Sequence, residues 1–61
     1  MMTICFYVEN TDKAYDTLDY VIDRFPCFVR WESVEMNYIE VSITARVEDI
    51  PSVEKIFAEI V

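Results

Sequence analysis

Four aspartates, Asp12, Asp16, Asp19 and Asp23, recur at intervals of four, three and four residues. At about 100° per residue on a helix they fall within roughly 60° of one another. A row of short carboxylates can dock on a basic protein surface or imitate a phosphate backbone. The plainer use is a solvated face that keeps a small protein in solution. Tyr20 borders the row on one side, and Tyr15 lies on the other, nearer the apolar face. Asp is a mediocre helix former, so its repeated choice here runs against local propensity. Helix neighbours can share a cation, but no calcium-loop pattern is present and no metal ligand set is assigned.

A second group with chemical potential is Tyr7, Phe28, Arg30, Tyr38 and Arg46, joined by Val34, with Glu32 and Glu40 between them. Alternation along the strands places them on one sheet face. Aromatic residues and Arg are enriched where protein interfaces gain most of their energy. Two arginines beside rings could also stack on a nucleotide-like small molecule. An ordinary solvent-facing sheet with cross-strand pairs would use the same residue types.

Several chemistries are excluded by what is missing. The chain has no Gly, so it offers no glycine-rich phosphate loop, dinucleotide fingerprint or nucleophile elbow. It has no His, the commonest general base, and only two cysteines, Cys5 and Cys27, so it cannot assemble a zinc site from His and Cys. The expectation is a non-enzyme without cofactor or metal. Two cysteines do not make a disulfide framework, and Cys27 reads as a small buried apolar residue. The start of the chain lacks a basic leader, and charges interrupt every apolar run before membrane-spanning length. A reducing, cytoplasmic location is expected.

Charge narrows the partners further. Twelve carboxylates stand against five Lys and Arg, a net charge of −7. Nucleic-acid binders draw most of their affinity from cations that displace counterions, so direct binding to DNA, RNA or anionic membrane is disfavoured. Basic proteins are favoured. The 54% hydrophobic content argues against disorder. A chain of 61 residues makes a single domain, 1–61, that buries only about 60% of its unfolded surface. A second copy or another partner is therefore expected to cover part of the apolar surface.

The elements that must position these groups follow from hydrophobic period. Residues 2–9 alternate, with Ile4, Phe6 and Val8 on one face and Thr3, Cys5 and Tyr7 on the other. Asn10 or Thr11 can cap a helix over 12–25, whose apolar face carries Ala14, Leu18, Val21, Ile22 and Phe25. Pro26 ends it. A second strand spans 27–34; burying Arg30 and Glu32 would be costly, which puts Val29 and Trp31 in the core. A third spans 38–48, with Ile39, Val41, Ile43, Ala45 and Val47 inward. The link Glu35-Met36-Asn37 suits a three-residue hairpin, which keeps Trp31 and Val41 on one face, with Asn37 as the left-handed residue. Asp49 can cap a last helix that runs to the chain end, with Pro51 in its first turn and Ile50, Val53, Ile56, Phe57 and Ile60 inward.

The expected fold is α+β in the order β-α-β-β-α: a three-stranded antiparallel or mixed sheet with two helices on one face. This resembles a ferredoxin-like split β-α-β domain lacking its last strand. That loss would leave the first strand as an open edge, a template for a homodimer or for strand addition by a partner over Thr3 to Val8. The expected function is a small acidic protein-interaction module, an inhibitor or adaptor that docks on a basic protein surface. Compact acidic chains without catalytic motifs resemble accessory proteins that phages direct against host nucleases or regulators. The alternatives are a small-molecule or nucleotide-binding homodimer using the outer sheet face, and a structural subunit joined by strand addition.

Overall fold

A computed structural model describes residues 1–60. Strand β1 (Met2–Glu9) is followed by helix α1 (Asp12–Arg24), β2 (Cys27–Ser33), β3 (Tyr38–Ala45), a 3-10 turn (Val47–Asp49) and α2 (Ile50–Ala58). The sheet order is β1-β3-β2, and both pairings are antiparallel, so no mixed pairing occurs among the described strands. β1 and β2 therefore run in the same direction on either side of β3, joined through α1.

The core forms on one side of β3. Ile39, Val41, Ile43 and Ala45 are fully buried, and Val8, Ala14, Leu18, Val21, Ile50, Val53 and Phe57 complete the same cluster. Both helices thus pack on the face carrying odd-numbered β3 residues. Register sets who faces them: Ile4 and Val29 flank Ile43, while Phe6 and Trp31 flank Val41. Phe6 meets Phe57 of α2 at 4.5 Å between ring centroids, which seats α2 over the β1 half. Tyr15 of α1 meets Trp31 edge-on at 5.2 Å, which seats α1 over the β2 half.

Local chemistry explains the boundaries. Thr11 caps α1, its Oγ1 accepting from the Ala14 N–H at 3.3 Å. The Phe25 N–H donates to Val21 O at 2.9 Å, so Phe25 is the C-cap rather than a helical residue. In the hairpin the Val34 N–H donates to Tyr38 O at 3.1 Å, leaving the expected three-residue link. The left-handed residue is Met36 (φ 58°), not Asn37. Asn37 is held because its carbonyl accepts the Asn10 N–H, extending the β1–β3 ladder by one pair. The bend is thereby displaced one residue earlier.

Other departures from the periodic reading have similar causes. β3 stops at Ala45 because the Asp49 N–H donates to Arg46 O at 2.9 Å and the chain turns. Val47 leaves the strand period and is exposed rather than inward. Ile22 is 52% exposed, since it lies about 70° from the middle of the buried α1 face. Trp31 has the expected phase but is 51% exposed, because β2 is an edge strand; Tyr15 meets one edge of its ring. Asp49 makes no side-chain cap; its carboxylate serves Arg46 instead. α2 ends at Ala58, short of the chain end.

Candidate functional site

The acidic row is fully displayed. Asp12, Asp16, Asp19 and Asp23 are all exposed, opposite the buried Ala14, Leu18 and Val21. Among the described residues, the only ion pairs join Arg46 to Glu48 and Asp49, so none of the four aspartates is ion-paired. Arg24, four residues beyond Tyr20, instead lies 4.7 Å over the Tyr20 ring. That pairing occupies the nearest cation at the helix end and fixes the tyrosine beside the carboxylates. Carboxylates at these spacings stand about 5–6 Å apart, inside the screening length of about 8 Å at physiological salt. They act on an approaching cation as one patch. Asp16 and Tyr20 also border an open groove between the helices, shared with Lys13, Lys55 and Ile56.

The outer sheet face is built from four rows, each contributed by β1, β3 and β2 in that order. They read Thr3·Thr44·Phe28, Cys5·Ser42·Arg30, Tyr7·Glu40·Glu32 and Glu9·Tyr38·Val34, the last extended by the Val34–Tyr38 hydrogen bond. The first three rows are tied across β1 and β3 by side-chain hydrogen bonds. Thr3 Oγ1 and Thr44 Oγ1 lie 2.7 Å apart, and Cys5 Sγ and Ser42 Oγ 3.1 Å apart. The Tyr7 hydroxyl donates to Glu40 Oε2 at 2.9 Å. That hydrogen bond to the carboxylate, with its charge, holds the Tyr7 phenol protonated above its ordinary range. Glu32 and Glu40 are directly opposed, an unfavourable placement of like charges. Arg30 sits one row away and makes no ion pair with either.

Tyr7, Phe28, Arg30 and Tyr38 thus share the expected face. Arg46 does not. Its Nε donates to Asp49 Oδ2 at 2.8 Å and lies 3.5 Å from Glu48, which fastens the β3–α2 corner and raises the guanidinium pKa further. Without Arg46 this face has one cation among its four rows, Arg30, against three carboxylates, Glu9, Glu32 and Glu40. An anionic ligand such as a nucleotide meets net negative charge there. Depressions at the face are open and shallow, lined in one place by Thr3, Arg30, Trp31, Glu32, Glu40, Ser42 and Thr44 and in another by Tyr7, Val34, Glu35 and Tyr38.

The β1 edge is the third candidate. Asn10 and Asn37 form a hydrogen-bonded ladder pair, and such pairs alternate along an antiparallel ladder. The backbone groups of Thr3, Cys5, Tyr7 and Glu9 consequently point outward, without partners in the sheet. β1 carries no charge or Pro from Met2 to Val8, whereas the β2 edge carries Arg30 and Glu32. The β2 edge is therefore guarded and the β1 edge open.

Both cysteines are free; Cys5 is exposed, and the Cys27 thiol is pushed up by burial and by the Asp49 carboxylate. Among the described residues, no group of three potential metal ligands converges and no helix is long and apolar enough to cross a membrane. The side-chain rungs across β1 and β3 and the Arg24–Tyr20 contact escaped sequence reasoning. The second had a signal, since Tyr20 and Arg24 are four apart on one helix. The first depends on strand register, which alternation alone leaves open. Comparison with protein-family models, with curated proteins and with solved structures finds no match to this chain.

Proposed function

We propose that this chain is an interaction module, an inhibitor or adaptor, that docks the acidic face of α1 on a basic protein surface. The observation that carries this reading is the row of four exposed aspartates, none of them ion-paired, on a helix whose other face is buried. From Asp12 to Asp23 the row spans about 16 Å, one charge per about 5 Å of axis. One strand of DNA carries a charge per about 3.4 Å, so a surface evolved to grip phosphates meets a comparable pattern here. A rigid helix presents these charges at little entropic cost to binding. Thr3 with Thr44, Cys5 with Ser42 and Tyr7 with Glu40 are engaged in cross-strand hydrogen bonds on the outer face, which favours a binding role over catalysis. Free cysteines accord with a reducing, cytoplasmic location.

The experiment is affinity capture with immobilised wild-type protein and with Asp16→Asn/Asp19→Asn in parallel, at low and high salt. A basic protein held by the wild type, and lost both to the double variant and to salt, supports the reading. Equal capture by both baits sinks it and leaves the row as a solvated face.

The open β1 edge favours a second reading, assembly by strand addition. The order β1-β3-β2 leaves β1 at an edge of the sheet, where a strand from another chain can pair. Pro in place of Cys5 or Tyr7 removes an outward donor and should block such assembly without disturbing the β1–β3 ladder. Assembly that survives both substitutions excludes the edge.

A further inference from the structure

The four rows of the outer face divide into unlike halves. On β1 and β3 the first two rows carry small side chains (Thr3, Thr44, Cys5, Ser42), and the last two carry large ones (Tyr7, Glu40, Glu9, Tyr38). On β2 the order is Phe28, Arg30, Glu32, Val34: an apolar residue at each end, a cation and an anion in the middle. Phe28 is 74% exposed, more than Tyr7, Tyr20, Trp31 or Tyr38, and Tyr7, Tyr38 and Val34 are exposed with it. Within one chain, the opposed Glu32 and Glu40 lack a cation between them, and Arg30 lacks an anion.

We propose that this face is covered by a second copy of the same chain, independently of what the acidic helix binds. The two-fold axis lies between the two sheets, runs across the strands and passes over the middle of β2 at Trp31. It exchanges the first row with the fourth and the second with the third. Arg30 of each copy then stands over Glu32 of the other, with Glu40 on the diagonal, and the like-charge pair gains its cation. Phe28 meets Val34, apolar against apolar. Ser42 and Thr44 lie under Glu40 and Tyr38, so small side chains receive large ones, as facing sheets about 10 Å apart require.

The face as a whole keeps net negative charge, but the β2 row is self-complementary across the two-fold, Arg30 against Glu32 and Phe28 against Val34, and that pattern selects a second copy over an unrelated partner. The overall charge of −7 does not oppose this arrangement strongly. α1 packs on the other side of the sheet, so the two aspartate rows end on opposite outer surfaces of the pair. Both sheets and both helix layers separate them, far more than the screening length of about 8 Å. A three-stranded face is small beside the roughly 800 Å² per partner of standard interfaces, so the dimer should be reversible and concentration-dependent.

The test is sedimentation analysis of the full chain across a wide concentration range, with charge reversals on both sides of the contact. Arg30→Glu alone should weaken the dimer by at least about tenfold, and Glu32→Lys/Glu40→Lys alone should do the same. Mixed in equal amounts, the two variants should associate again, because each then presents the charge the other needs. That rescue also shows that both variants are folded. A wild type that stays monomeric at every concentration overturns the proposal. So does a dimer indifferent to both reversals, or one broken by Cys5→Pro but not by Arg30→Glu, which would place the contact at the β1 edge.

Discussion

Replacing Val21 and Ile22 by Ala, one at a time, separates what hydrophobic period implies from what packing does. Both residues belong to the apolar side of α1 by sequence, and Ile loses three carbons to Val's two. Counting carbons at about 0.8 kcal/mol each gives ~2.4 kcal/mol for Ile22 and ~1.6 for Val21, were both buried. The structure reverses that order: Val21 is 0% exposed and Ile22 is 52% exposed. For Val21 an unrelaxed cavity adds about 1 kcal/mol, and the better helix propensity of Ala returns about 0.5. The expected cost is thus about 2 kcal/mol. For Ile22 half the transfer term survives, no cavity forms and Ala returns a similar amount, leaving below about 1 kcal/mol. A domain of this length has roughly 3–9 kcal/mol of stability in all, so the first change is a large fraction of it. Urea unfolding followed by circular dichroism reads both midpoints, and equal slopes confirm that only stability has changed. A larger loss for Ile22→Ala than for Val21→Ala would refute the placement of α1 on the sheet.

Other substitutions test single local arguments. Met36→Gly removes the side-chain strain of a left-handed residue in the hairpin and should stabilise by about 0.5–1 kcal/mol, read as a raised melting temperature. Thr11→Ala removes the acceptor for the Ala14 N–H and should cost about 1 kcal/mol in the same assay, with Thr11→Ser restoring most of it. The raised Cys27 pKa favours the neutral thiol in the folded state. Its stabilising contribution is present below the ordinary thiol pKa of about 8.5 and is lost as pH rises through the higher folded value. The fall in urea midpoint between neutral and alkaline pH should therefore be smaller in Cys27→Ala than in wild type.

Much of this architecture is written in short-range pattern. Alternation in residues 2–9 and 38–45 reveals which side chains face the helices, because side-chain direction in a strand has a period of two. The parity argument that puts Trp31 beside Val41 holds for the same reason. What pattern could not resolve was where an element meets its limit. Val47 continues the alternation of β3 on paper, yet the Arg46–Asp49 hydrogen bond turns the chain first. Arg46 was lost from the outer face by that same turn. Trp31 is correctly phased but sits on an edge strand, and Ile22 lies at the border of the apolar face of α1, so both stay half exposed. Asn37 is the better left-handed residue by propensity, and a long-range ladder bond to Asn10 overrides it. The aspartate row needed no tertiary information, since the helix alone arranges it, whereas the opposition of Glu32 and Glu40 appears only once the register is known.

The central claim is that the carboxylates of α1 are a docking surface rather than a solvated face. Its most direct test is the affinity of wild type and of Asp16→Asn/Asp19→Asn for a captured basic partner, measured by calorimetry at low and at high ionic strength. The account predicts binding at least about tenfold weaker for the double variant at low salt, with the difference shrinking as salt screens the row. Equal affinities for the two proteins at both ionic strengths would contradict it.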